Sequence, residues 1–500
     1  MDYMDEFKLK SKIKKDNICL DIILPVLLLL LAFIFRYWNI KKANIGNDEC
    51  FSLYYSQYSF EDIKNVLIMG DNPPLWEWIL SLWVGIFGIG LLSLRSLSLL
   101  FNVLTIIPLY KLANSFFSRR IALGASLLYV FSSFSLFLSH DGRVYSLVGF
   151  LAVGSFYLFM KQFMKPVKYR WLHILVSNVL LVYSHYIAAF WIIVMEIFVV
   201  LLFTDLRKAM WKGLLFTVVG ILVFCFPLIP IIFDRFMDSG LNGTWIEKCH
   251  GIEELYSMLC AFTNAPVPTA LAIIIMVSAL IKLASTTSIN KLKLSPSLLV
   301  FLFWLIPLLL SFFLSFFIGF SLNRYFYFLL PFYLLSLVVC VDYLFVNKKF
   351  SRILTEFIFL IIIIFSFKMD SSVMRYAGWK GDVSKVANRL IELKKENSCV
   401  IISPYWIDKQ LVYYFDEKHT IFANEGNLTE PVFSEYLKNK GFYYDMDYNA
   451  IDYSKYPTII IVHENWKDIS SIINNLVNQG YVHDGSEIYQ QLTIDFFCKQ

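Results

Sequence analysis

Residues Leu75–Leu92 read LWEWILSLWVGIFGIGLL, and the fold turns on whether this tryptophan-rich stretch crosses a membrane or lies along it. The chain around it is not that of an ordinary soluble enzyme. Of its 500 residues 58% are hydrophobic and only 17% charged, against roughly 45–50% and 25% in globular domains. Apolar runs such as Ile22–Phe35, Leu298–Ile318 and Ile353–Phe367 approach or reach the length a helix needs to cross roughly 30 Å of hydrocarbon. Continuous runs exclude an outer-membrane barrel, whose strands alternate in hydrophobicity. The composition likewise excludes a cytosolic enzyme, a nucleic-acid binder and a disordered scaffold.

About eleven spans are expected, at 20–36, 95–114, 121–139, 144–160, 171–186, 187–204, 213–233, 268–284, 297–318, 325–345 and 353–369. The loops between them alternate in basic content. One set carries Lys8–Lys15, Arg119/Arg120, Lys161–Arg170, Arg207–Lys212, Lys282–Lys293 and Lys348–Arg352, so that side, with the N-terminus, faces the cytoplasm. Counting Leu75–Leu92 as a twelfth span would turn those lysine-rich loops outward. The stretch therefore reads as a juxtamembrane helix in the first outer loop (37–94), with Trp76, Trp78 and Trp83 suited to the interface. Met1–Asp16 is followed by a long apolar stretch and no small-residue cleavage site, which marks a retained anchor. Arg36, Tyr37 and Trp38 are expected at its outer edge.

An odd span count places residues 370–500 outside. There Val383, Val386, Leu390 and Leu393 mark one helix face, while CVIIS (399–403) and TIIIVH (458–463) read as buried strands. Trp466–Gln479 reads as a helix ended by Gly480. The expected architecture is thus a polytopic helical membrane domain, 1–369, and a small extracytoplasmic α/β domain, 370–500. The eight cysteines show no zinc-ligand spacing, and Cys249 and Cys260 share an outer loop where a disulfide is permitted.

The polar residues at the outer face carry the chemistry. They are Asn47–Asp48–Glu49, Asp71–Asn72–Pro73–Pro74, His140–Asp141–Gly142–Arg143–Val144–Tyr145, Tyr183–Ser184–His185–Tyr186 and Asn323–Arg324–Tyr325. Each motif alone also fits a plain role as a solvated acid, a helix cap or an interfacial anchor. Together they fall on one side of a topology read from lysines alone. Asp48, Asp141, Arg143, His185 and Arg324 are expected to line one cavity, where acids, cations and aromatics suit a substrate that is both lipid and phosphate. Glu196, within the sixth span, reads as a structural hydrogen-bonding group.

The order of these motifs resembles the GT-C membrane glycosyltransferases, in particular bacterial relatives of protein O-mannosyltransferases and aminoarabinose transferases (glycosyltransferase family 39). The resemblance implies transfer of a sugar from a polyprenyl-phosphate donor to an acceptor hydroxyl on the extracytoplasmic side of the bacterial cytoplasmic membrane. The acceptor would be a lipid, glycan or protein. By motif, Asp48 corresponds to the catalytic acid with Glu49 beside it, and Asp141 to a second acidic position. Asn72, Arg143, Tyr145, His185 and Arg324 are candidates for donor phosphate and sugar. Asn72 stands where relatives often carry His or Lys, and Cys50–Phe51–Ser52 supply no arginine after the acid pair. Arg143 and Arg324 are left to carry more of the phosphate charge. No cofactor is required, though a divalent metal is compatible. A transporter or flippase for lipid-linked glycans, or a glycan polymerase or ligase, would share the donor chemistry. Transporters, however, usually show internal repeats, and none is seen.

Overall fold

Every stretch expected to span the bilayer is helical in the computed structural model, which describes residues 18–69, 72–202, 204–242, 246–286, 295–346, 348–370, 382–394, 397–415 and 437–500, with Thr244 and Glu435. The anchor helix α1 is Ile18–Tyr37. The segment between α1 and Leu91 holds three helices, α2 (Asn47–Tyr55), α3 (Phe60–Met69) and α4 (Leu75–Phe87). The membrane domain continues with α5 (Leu91–Leu104), α6 (Ile106–Phe116), α7 (Arg119–Val130), α8 (Ser133–Ser139), α9 (Tyr145–Met164), α10 (Arg170–Val182) and α11 (Tyr186–Leu202). Next come α12 (Thr204–Phe224), α13 (Ile229–Asn242), α14 (Ile252–Phe262), α15 (Pro266–Thr286) and α16 (Pro296–Ser315). A short 3-10 helix, Asn323–Leu329, leads into α17 (Leu330–Leu344), and α18 is Lys349–Ser366.

Among the described residues six helices are long and apolar enough to cross a membrane, or eight if two bent pairs each make one span. The difference from eleven has physical causes. Helices α10 and α11 are shorter, and α18 carries Lys349, Arg352 and Glu356. Helix α4 has 13 residues, about 20 Å of helix, too short to span; it stops at Gly88, whose φ of 81° favours glycine.

Two interfacial assignments are corrected. Trp76 is buried, with its indole N–H donating to Gly142 O (3.2 Å). Trp78 and Trp83 likewise donate to Phe60 O and Ser93 O. The tryptophans therefore fasten α4 to the protein. Arg36 is fully buried where α7 and α8 break at a bend of 61°. It donates to Tyr129 O (3.1 Å), Val130 O (3.3 Å) and Ser135 Oγ (3.0 Å), and to Asn102 Oδ1. A helix end leaves its last carbonyls without intrahelical donors, and the Arg36 guanidinium supplies donors for two of them. Tyr37 and Trp38 are exposed as expected. Glu196 accepts Asn178 Nδ2 (2.7 Å) and the Ser155 hydroxyl (3.1 Å), the structural bond anticipated. Cys249 and Cys260 are both free thiols.

The tail holds helices α19 (Val383–Leu393), α20 (Asp408–Phe415) and α21 (Ser470–Asn478). Its strands are β1 (Ser398–Ser403), β2 (Phe442–Tyr444), β3 (Thr458–Glu464), β4 (Tyr481–Ile488) and β5 (Leu492–Lys499), in the order β2-β1-β3-β5-β4. The β2-β1-β3 half is parallel and the β3-β5-β4 half antiparallel. Helix α20 sits on the loop that precedes α2. Tyr414 Oη accepts the Ile45 N–H (2.8 Å), and Gln410 Nε2 donates to Ile45 O (2.8 Å). Both backbone groups of buried Ile45 are thus satisfied by the tail, which packs on the segment between α1 and α2. Each such bond contributes about 1 kcal/mol. Gln410→Ala with Tyr414→Phe is therefore expected to lower stability by about 2 kcal/mol and to speed amide exchange at residues 44–48. Unchanged exchange there would mean the tail does not hold this loop.

Candidate functional site

The site begins with the start of α2. Asp48 and Glu49 are consecutive, so on a helix their side chains diverge by about 100° and do not act as a pair. Glu49, expected beside Asp48 as a catalytic acid, is instead fully buried. It accepts Gly46 N–H (2.7 Å), the backward reach typical of a third helical residue. It also accepts Gly142 N–H (2.8 Å) and, bidentately, Arg95 Nε and Nη2 (2.8 Å each). Arg95 spends its remaining donors on Ile40 O, Ala43 O and Asn44 O (2.7, 2.9 and 2.7 Å). All five of its N–H groups are satisfied. This buried pair ties the segment between α1 and α2, the start of α2, α5 and the His140–Tyr145 segment into one body. Gly142 lies at the join, where a Cβ would collide with Leu94.

Asp48 points the other way. Its carboxylate meets Arg324 Nη1 at 2.7 Å, with the aspartate side chain 42% exposed. Arg143 Nη1 donates to Asp48 O (3.2 Å) and to the Ser52 hydroxyl, and lies 3.5 Å from Glu77. Ser52 in turn donates to Glu77 Oε1 (2.7 Å). Among the described residues Arg143 Nε is buried without a hydrogen-bond partner. Burial opposes ionisation of Asp48, but the Arg324 and Arg143 guanidiniums outweigh it and hold the carboxyl below the usual aspartate range. For Glu77 burial prevails over Arg143 and Ser52, and its carboxyl is pushed up.

Aromatic rings wall this cluster. The Arg324 guanidinium lies 5.7 Å from the Tyr145 ring centroid and 5.9 Å from that of Tyr325, within cation–π range. Tyr145 and Tyr325 stack at 6.2 Å, and His185 contacts both, at 6.0 and 5.4 Å. His185 Nδ1 accepts the Ala188 N–H (3.3 Å), which assigns the proton of the neutral ring to Nε2. Asp141 is buried within electrostatic reach of Arg95 and Arg324.

The structure thus brings together Asp48, Arg143, Tyr145, His185 and Arg324, with Asp141 close by. Asn72 lies in the connection before α4, its N–H bonded to Leu67 O (2.8 Å). It does not cap α4, whose N-cap residue is Pro74 with no side-chain cap and whose Leu75 N–H goes to Tyr183 O (3.0 Å). Asp71 lies outside the described residues.

Residues 71–232 match the family model described as dolichyl-phosphate-mannose-protein mannosyltransferase. No curated protein matches the sequence. The fold is similar to that of ArnT from Cupriavidus metallidurans, at a TM-score of 0.61 and 12% identity over 94% of this chain and 97% of that one. The same enzyme bound to undecaprenyl phosphate aligns at 0.62, with 10% identity and the same coverage. The chain has a GT-C glycosyltransferase fold. A more distant GT-C likeness is the Archaeoglobus fulgidus oligosaccharyltransferase in complex with zinc and sulfate, at 0.50 and 12% identity over 88% of this chain and 67% of that one. The resemblance read from the motifs is borne out, and the chain is a multi-pass membrane protein of that fold. Among the described residues no group of three or more His, Cys, Asp or Glu is placed to hold a metal ion.

Within the GT-C frame, motif reading missed Arg95, Glu77 and Ser52. Glu77 left a signal, as the lone charge in an apolar segment, a position that needs a protein partner. Arg95 left little, because an arginine at the head of a span looks like an ordinary anchor.

Proposed function

We propose that the protein transfers a sugar from a polyprenyl-phosphate donor to an acceptor hydroxyl at the extracytoplasmic face of a bacterial cytoplasmic membrane. The observation that carries this reading is the Asp48–Arg324 ion pair at 2.7 Å, set beside Arg143 and walled by Tyr145, Tyr325 and His185. Without substrate, Arg324 rests on the carboxylate. An arriving phosphate competes for Arg324 and takes the vacant Nε donor of Arg143. Released from its ion pair, Asp48 becomes a better proton acceptor at the moment the donor is bound.

The acceptor hydroxyl then attacks the anomeric carbon while its proton passes to Asp48. The bond from that carbon to the phosphate oxygen breaks, and polyprenyl phosphate departs with its growing charge held by Arg143 and Arg324. Attack opposite the leaving group inverts the anomeric configuration. His185 Nε2–H and the Tyr145 hydroxyl are donors for sugar or phosphate oxygens. Asp141 acts on Arg324 electrostatically, Asn72 is a candidate contact for the donor, and Glu49 positions the loop without touching substrate.

Arg143→Ala is expected to lower kcat/KM for the donor by about 10²–10³-fold while the KM for acceptor stays nearly constant. Steady-state kinetics with each substrate varied in turn check this. A larger effect on acceptor KM would move the phosphate away from Arg143.

A further inference from the structure

The tail domain carries a cavity of about 410 Å³ at the carboxyl ends of β1 and β3. Those strands run parallel, and the crevice beyond the carboxyl ends of parallel strands is where α/β sheets take their ligands. Tyr405 and Trp406 line it and are 50% and 38% exposed. Trp466, 69% exposed, stacks on Trp406 at 6.3 Å with the planes within 20°. The Glu464 carboxyl at the end of β3 lies within electrostatic reach of both tryptophan side chains.

The rest of the lining is polar. Asp445 accepts the Ser403 hydroxyl (2.8 Å) and lies 3.7 Å from Lys467 Nζ. Asp468 accepts Ser470 N–H and Oγ–H through one oxygen (2.9 and 2.6 Å). Exposed aromatic planes beside carboxylates and one ammonium suit a ligand with an apolar C–H face and a rim of hydroxyls. Two carboxylates in the lining do not suit a phosphate or an anionic headgroup. A large exposed aromatic patch on a mostly polar domain itself calls for a partner.

We propose that this cavity binds a pyranose saccharide, its ring stacked on Trp406, with the Tyr405 ring at 74° to that plane meeting its edge, and its hydroxyls bonded by Asp445, Lys467 and Asp468. The Asp48 cluster contributes no residue to its lining, and binding here does not rest on the transfer reaction. The test is saturation-transfer NMR on the full-length protein in nanodiscs prepared without sugar-based detergent. The probes are the methyl glycosides of glucose, galactose, mannose and N-acetylglucosamine. At least one is expected to show saturation strongest at its axial ring protons. Trp406→Ala should weaken its affinity about tenfold or more, as loss of a buried tryptophan anchor does. Asp468→Asn should weaken it too, with thermal stability unchanged in both, and Asp48→Asn should leave binding intact. The proposal is overturned if none of these glycosides is saturated, if binding survives both Trp406→Ala and Asp468→Asn, or if it is lost in Asp48→Asn.

Discussion

Asp48→Asn is expected to reduce glycosyl transfer by about 10²–10⁴-fold, the usual worth of a positioned general base, while leaving the protein folded. The amide keeps the shape of the side chain but has no site for the acceptor proton. The stability cost is small, because the Asp48–Arg324 pair is partly exposed and such pairs contribute at most about 1 kcal/mol. Retention of full transfer by the purified variant would remove Asp48 as the base. The arginines hold its carboxyl below the usual range, so in the free enzyme the base stays ionised through neutral pH. It is lost only as the pH falls through that lowered value.

Glu49→Gln, one residue along, is expected to do the opposite. It leaves Arg95 buried without its anionic partner, and breaking a fully buried pair from one side costs about 3–5 kcal/mol. That is a large share of the roughly 5–15 kcal/mol that holds a typical protein folded. The variant should show a sharply lowered unfolding temperature and poor recovery, with transfer per folded molecule retained. Unchanged stability together with lost transfer would make Glu49 the base and the Glu49–Arg95 pair incidental.

The contrast between these neighbours marks what was legible in the sequence. Motif order brought out Asp48, Arg143, Tyr145, His185 and Arg324, because polar residues retained at one edge of a hydrophobic chain have few reasons to be there. The division of labour between Asp48 and Glu49 was not legible. It depends on α2 starting at Asn47 and on an arginine 46 positions away. Arg36 was misread for a related cause, since its partners are carbonyls freed by a helix break that hydropathy does not reveal. Lysine asymmetry kept Leu75–Leu92 out of the span count, and the 13-residue α4 agrees. Its tryptophans nonetheless looked interfacial until their N–H partners were known. In the tail, β1 and β3 stood out as buried aliphatic runs. The β4–β5 hairpin did not, because β4 exposes most of its polar residues to solvent, as one face of an antiparallel sheet commonly does.

The most direct test of the central claim is mass spectrometry of the polyprenyl-phosphate-linked sugars in cells without the protein, with the wild type restored, and with Asp48→Asn restored. One polyprenyl-phosphate monosaccharide is expected to accumulate in the first and third strains and to return to its basal level with the wild type. An unchanged lipid-linked sugar profile in the absence of the protein would contradict it, as would full clearance of the accumulated donor by Asp48→Asn.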